Sequence, residues 1–236
     1  MSIATNVETL QERISRAAQR AGKNPREITL MAVIKTVPPD RIREAYDAGI
    51  RVFGENRVQE FEAKVERLRD LDCAEWHMIG HLQSNKSAKA AELFGGVDSV
   101  DSVKLAQRLN SAASQSGKRI PVLIEINIGG EQAKSGLPPD SDELENLLAL
   151  APELSSLELS GLMTVPPYHE DAERSRPYFK KMRGLFDHIS TRNLPGVRME
   201  VLSMGMSHDF EVAIGEGSTC VRIGTAIFGE RPANLR

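Results

Sequence analysis

The chain has 236 residues, 40% of them hydrophobic and 27% charged, which suits one large domain or two small ones and excludes the disordered and collagen-like classes. A net charge of -3 and a pI near 6.0 lack the basic footprint that nucleic acid or an anionic membrane would select, so neither is expected as a partner. Only Cys73 and Cys220 occur, outside any C-x-x-C or zinc spacing, so two reduced, packed thiols are expected rather than a disulfide framework or structural zinc.

The N-terminal stretch is amphipathic and charged, without the apolar core of a signal peptide, and no apolar run approaches a membrane span, which points to a cytosolic protein. "TNVE" at residues 5–8 has the form of a capping box, and Val7, Leu10, Ile14, Ala17 and Ala21 recur at helical spacing as far as Gly22, so the chain opens with a helix. Apolar, β-branched segments then predict eight strands, at 28–35, 51–56, 74–80, 96–102, 120–128, 157–165, 197–205 and 220–224. Helical patterns fill the intervals. They are "DRIREAYDAG"; Val58, Phe61, Val65, Leu68 and Leu71; residues 87–94; "SVKLAQRLNSAASQSG"; Leu144, Leu147, Leu148 and Ala151 behind "DSDE"; "RPYFKKMRGLFDHIS" with Pro177 in its first turn; and a short one around "HDFEVAIGEG". Gly22, Gly49 and Gly117 stand where left-handed helix caps would.

The strand starts step by 23, 23, 22, 24, 37, 40 and 23 residues with no linker or composition break. One strand–helix unit repeated eight times predicts a single (β/α)₈ TIM-type barrel over residues 1–236 with an extra N-terminal helix. An open doubly wound sheet would alternate in the same way, but eight near-uniform units favour closure.

In such barrels chemistry sits at the carboxyl ends of the strands, with phosphate held after strands 7 and 8. Lys35 ends the first strand, Asn56 the second, and His77 and Gly80 the third; "SMGMS" (203–207) ends the seventh and "RIGTAIFG" (222–229) the eighth. A lysine at an apolar rim loses hydration, which favours the neutral amine that a Schiff base with a sugar-like substrate or pyridoxal phosphate requires; a snorkelling strand-end lysine is the competing reading. In the last two loops glycines admit backbone N–H groups to an anion and Ser203, Ser207 and Thr225 add hydroxyls, although tight turns use the same residues. Arg222 would face a bound ring or pair with Glu200 or Glu125 within the barrel. His77 and His81 have H-x-x-x-H spacing, but on a strand four residues span about 13 Å, too far to share a metal ion; His77 either contacts a ligand or packs in the core. Nucleotide-binding glycine fingerprints are absent.

"AVIKTVPPDRIREAYDAGIRVFGENRVQE", "WHMIGHLQSNK", "AKSG", "GLMTV" and "LSMGMSHDFEVAIGEGSTCVRIGTAIFGER" together resemble the pyridoxal phosphate homeostasis protein family, from about residue 28 to 231. The resemblance implies a barrel like the N-terminal domain of alanine racemase, a fold type III pyridoxal phosphate protein without the β domain. It implies that the cofactor is linked through Lys35, that Ser203, Gly224 and Thr225 hold its phosphate, and that Arg222 faces the pyridine nitrogen. Asn56, His77 and Met204 would line the pocket. Family members often read "AVSKTK" and "IGPLQ", where this chain has Ile34, Val37 and His81; a family-typical lysine is therefore missing at Val37.

An alanine-racemase-like enzyme acting on a small amino acid is one alternative. Such racemases need a second domain and a tyrosine acid/base from across a dimer, yet only "AIFGERPANLR" follows the eighth strand, and of Tyr46, Tyr168 and Tyr178 only Tyr168 falls near the mouth. A Schiff-base aldolase would use the same lysine but has no need of an arginine beneath a pyridine ring. The expectation is thus a cytosolic, monomeric vitamin B6 carrier that buffers pyridoxal 5′-phosphate and delivers it to dependent apo-enzymes, without efficient catalysis of its own.

Overall fold

A computed structural model describes residues 2–131 and 133–230; residues 231–236, into which the last family-like motif runs by one position, lie outside them. Helix α1 (Ile3–Arg20) precedes the strand–helix repeat: β1 (Thr29–Val33), α2 (Pro39–Asp47), β2 (Val52–Glu55), α3 (Val58–Val65), β3 (Glu75–Met78), α4 (Ser87–Leu93), β4 (Gly96–Val100) and α5 (Val103–Gln115). The second half comprises β5 (Ile120–Glu125), α6 (Asp142–Leu150), β6 (Leu157–Met163), α7 (Arg176–Thr191), β7 (Val197–Met206), α8 (Phe210–Gly215), β8 (Cys220–Ile223) and α9 (Thr225–Phe228). Each strand pairs in parallel with the next, and β8 pairs with β1 through Thr29↔Cys220 to Ala32↔Ile223, closing the barrel. The closed alternative is the one adopted. No described helix is long and apolar enough to cross a membrane.

Strand alternation sorts side chains between two cores. Phe53 and Trp76 face outward, where their rings stack with centroids 4.9 Å apart, and Phe61 of α3 continues the stack to Trp76 at 5.1 Å and to Phe94 at 4.8 Å. This column seats α3 and α4 on β2 and β3. Their neighbours Gly54 and His77 then face inward. Helix α1 lies outside the closing seam: Asn6 Nδ2 donates to the Ile227 carbonyl at 2.9 Å, and Arg13 reaches Glu211 at 3.2 Å while its guanidinium covers Phe210.

Two local expectations are corrected. The N-cap of α1 is Ser2, whose hydroxyl accepts from Thr5 N–H, so "TNVE" lies inside the helix rather than capping it. The thiols differ too: Cys220 is buried and Cys73 exposed. Gly22, Gly49 and Gly117 do have φ of 67°, 101° and 63°, as left-handed helix ends require.

The 37- and 40-residue strand steps hold the loops before α6 and α7, and β6 beside them bears the tightest backbone approach. Gly161 has φ 155°, and a Cβ there would lie 1.8 Å from the Val201 carbonyl oxygen of β7. Gly161→Ala should therefore cost at least about 2–3 kcal/mol. Gly184→Ala, in α7 with nothing within 4 Å of the new methyl, should stabilise by roughly 0.5–1 kcal/mol. Urea unfolding midpoints of the two variants check both signs, and equal midpoints would refute the close β6–β7 approach.

Candidate functional site

The barrel's C-terminal mouth gathers most of the singled-out residues. Met31 and Val33 alternate to the inner side of β1, and Lys35 follows two residues beyond the strand, partly buried, in a turn closed by Val37 N–H on the Ile34 carbonyl at 3.0 Å. Thr36, next to it, has φ 62°, a conformation that costs a β-branched residue on the order of 1–3 kcal/mol.

Across the closing seam, Arg222 is 4% exposed, and its guanidinium is held by neutral acceptors. Nη1 donates to Ser203 Oγ at 2.6 Å and Nη2 to the Thr164 carbonyl at 2.8 Å. Glu200 is exposed on β7, and Glu125 acts on the guanidinium only through its field, so the ion pair that the sequence left open is not formed. Burial pulls Arg222 below its ordinary pKa, opposed at neutral pH by the carboxylates of Asp98, Glu125 and Asp209. Burial likewise pushes the Cys220 thiol up to about 12, leaving it uncharged at neutral pH.

The register separates the two serines of "SMGMS". Ser203 pairs with Cys220 at the start of β8 and is fully buried, well below the rim and engaged with Arg222. Ser207 lies past the end of β7, and its Oγ accepts from Ala226 N–H in the first turn of α9 at 3.4 Å. Ser207, not Ser203, is the hydroxyl beside Gly224 and Thr225. Gly205, with φ 96° and a would-be Cβ 2.6 Å from Ala213 Cβ, lets α8 pack closely against the end of β7. Met204 is fully buried within the apolar core, on the face of β7 opposite Ser203, so its side chain packs outside the pocket.

On the far side of the mouth His77 Nδ1 lies 2.8 Å from Asp98 Oδ1, with the imidazole set over Gly96, where a Cβ would be 2.5 Å from the ring. Burial disfavours the charged imidazole, but Asp98 outweighs it and the pKa rises above its ordinary value. His81 pairs separately with Asp101 at 3.1 Å, so the two histidines share no partner. Among the described residues no cluster of three or more His, Cys, Asp or Glu could hold a metal ion.

Three buried side-chain atoms of the described residues lack a hydrogen-bond partner, and two of them belong to the mouth: Asn56 Oδ1 and Glu125 Oε2. Glu125 is 7% exposed, takes a hydrogen bond from Ser135 Oγ at 2.9 Å on its other oxygen, and is pushed above the usual carboxylate range by burial. In the sequence Glu125 is read only as an arginine partner, inside a strand expected to run to residue 128; β5 instead ends at Glu125, which puts it at the mouth, and neither that early end nor the orphaned oxygen was legible.

Residues 5–232 match the family described as alanine racemase, N-terminal domain. The pyridoxal phosphate homeostasis protein of Aquifex aeolicus (strain VF5) is 46% identical over 98% of this chain and 99% of its own length, and that of Escherichia coli (strain K12) is 45% identical over 97% of each. The structure of PipY from Synechococcus elongatus PCC7942 with PLP bound superposes with a TM-score of 0.80 at 37% identity, covering 92% of this chain and 100% of that one. With near-complete coverage in both directions, this chain belongs to the pyridoxal phosphate homeostasis protein family, built on the alanine racemase N-terminal domain.

Proposed function

We propose that the barrel mouth binds pyridoxal 5′-phosphate and that the protein, as a single domain and a monomer in the cytosol, carries and buffers this cofactor for dependent apo-enzymes. The observation that carries this reading is the convergence of Lys35, a buried Arg222 held by neutral groups, and the hydroxyls of Ser207 and Thr225 on one rim. The residues fit the cofactor. Two orphaned buried oxygens, a desolvated cation and a hydroxyl-bearing rim would be completed by a small phosphorylated ring with polar substituents. No described helix spans a membrane, and the exposed Cys73 thiol suits a reducing compartment.

When bound, pyridoxal phosphate supplies an aldehyde carbon that a neutral lysine amine can join with loss of water. Lys35 would provide that amine. Ser207 and Thr225, with the backbone N–H groups of Gly224 and Thr225, would hold the phosphate. Arg222, oriented by Ser203 and Thr164, would face the ring nitrogen and keep it unprotonated, which makes the ring a weaker electron sink than a carboxylate would. Asn56 and His77 would line the ring's other side. The relatives' name describes homeostasis, and the engagement of Tyr46 with Arg51 and of Tyr178 with His169 also supports a carrier.

Borohydride reduction of the loaded protein followed by peptide mass spectrometry should place the adduct on Lys35; an adduct on Lys134 alone would refute the assignment. Hydrogen bonds to a charged phosphate are worth roughly 1.5–3 kcal/mol each. The Ser207→Ala, Thr225→Ala double variant should therefore bind pyridoxal phosphate at least about tenfold more weakly, with little change toward plain pyridoxal. Spectrophotometric titration with both aldehydes measures this, and an unchanged preference for the phosphorylated one would place the phosphate elsewhere.

His77 gives the cofactor-free protein a pH signature. Its folded pKa exceeds the unfolded value of about 6.5, so its stabilising contribution is fully present below that value and is lost as pH rises through the folded pKa. In Asp98→Asn burial is opposed only by the weaker field of Glu75, and the His77 pKa should fall below the ordinary value. An NMR titration of the imidazole reads both shifts; an unmoved His77 would show that Asp98 does not set it.

A further inference from the structure

The turn that carries Lys35 has an unsuitable residue for its shape. A turn with a left-handed third residue selects glycine or asparagine there, yet that residue is Thr36, with φ 62°. Among the described residues the only other non-glycine with positive φ is Asn193, whose type enters that region readily.

A charged cluster holds this turn from the side of α3. Lys64 Nζ donates to the Ile34 carbonyl at 2.9 Å, to Glu55 Oε2 at 2.9 Å and to Glu60 Oε1 at 2.7 Å. Glu60 Oε1 in turn accepts the Thr36 N–H. The peptide groups immediately before and after Lys35 are thus both tied to α3. Glu55 Oε1 also accepts the Asn56 N–H at 2.6 Å, so the same cluster fixes the end of β2. Lys64 is 8% exposed and Glu55 1%. Buried ion clusters contribute little net stability compared with apolar packing, and their best-attested return is a specified conformation. Phe61, one turn before Lys64, anchors α3 through its ring contacts with Trp76 and Phe94, so the clamp stands on a rigid element.

We propose that Lys64, Glu60 and Glu55 clamp the Lys35 turn in its left-handed shape and thereby aim the Lys35 amine, which makes Lys64 a positioning residue for cofactor attachment. The proposal rests on Lys35 being the attachment residue, but the clamp itself is measurable without cofactor.

The first measurement is amide hydrogen exchange by NMR on cofactor-free protein. In Lys64→Met the Thr36 amide should exchange at least about tenfold faster than in wild type, while Ala32 within β1 is unchanged. Burial already raises the Glu55 pKa, so without Lys64 this carboxyl can take a proton and stay neutral rather than unfold the barrel. If Lys64→Met still fails to fold, Glu60→Ala, whose side chain is 24% exposed, carries the same comparison.

The second measurement is the rate at which absorbance reports attachment of pyridoxal phosphate. Lys64→Met should be at least about tenfold slower, because a misplaced amine loses its attack geometry. Adding Thr36→Gly should restore the rate to within about threefold, since glycine adopts positive φ without a clamp. A lysine that merely stabilised the fold would not be rescued in this way. Wild-type Thr36 exchange in the folded variant, a wild-type attachment rate, or failure of the glycine rescue would each overturn the proposal. A wild-type protein that attaches no cofactor at Lys35 would instead sink the underlying reading, and hydrogen exchange would still decide whether the clamp exists.

Discussion

The ladder between β1 and β8 is the constraint on which the mouth depends. Thr29, Leu30, Met31 and Ala32 pair with Cys220, Val221, Arg222 and Ile223, so the first and last strands of the repeat become neighbours. In an open sheet that kept the same sequential strand order, Lys35 and Arg222 would stand at opposite edges with unpaired backbone along both. Closure removes the edges and sets the Lys35 turn beside the Gly224 corner, where a Cβ on Gly224 would already touch Val33 at 3.5 Å. The site is thus a consequence of topology before it is a matter of particular side chains.

Two buried cations at this mouth are solvated in opposite ways. Arg222 is held by a hydroxyl and a carbonyl, with Asp98, Glu125 and Asp209 contributing only through space. Its positive charge is oriented but not neutralised by contact, which leaves it able to act on whatever occupies the barrel. Lys64 is neutralised by two carboxylates at hydrogen-bond distance, and its remaining bond goes to backbone. The first arrangement suits a cation that faces a ligand; the second suits one that shapes the chain. A guanidinium with several fixed donors serves the former task, and a compact ammonium at the centre of three acceptors serves the latter.

Local patterns were readable where the deciding physics is local. β-Branched runs marked all eight strands to within a few residues, and glycines at helix ends revealed their left-handed conformation. Errors arose where a neighbour in space decides. "TNVE" has capping chemistry, but Ser2 stands one turn earlier and takes the role. Ser203 and Ser207 are equivalent in composition, but β7 ends between them, and one reaches Arg222 inside the barrel while the other meets α9.

The amino-acid sequence alone determined the repeat, the fold class and the end of the barrel at which Lys35, Asn56, Arg222 and Thr225 would meet, because strand alternation and the strand–helix period are written along the chain. The specific motifs also marked the family. Tertiary structure decided which hydroxyl serves the rim, that neutral groups rather than a carboxylate hold Arg222, and how a threonine keeps a left-handed backbone beside Lys35. Each of those outcomes depends on desolvation and on distances between segments far apart in sequence, and neither quantity exists until the barrel closes.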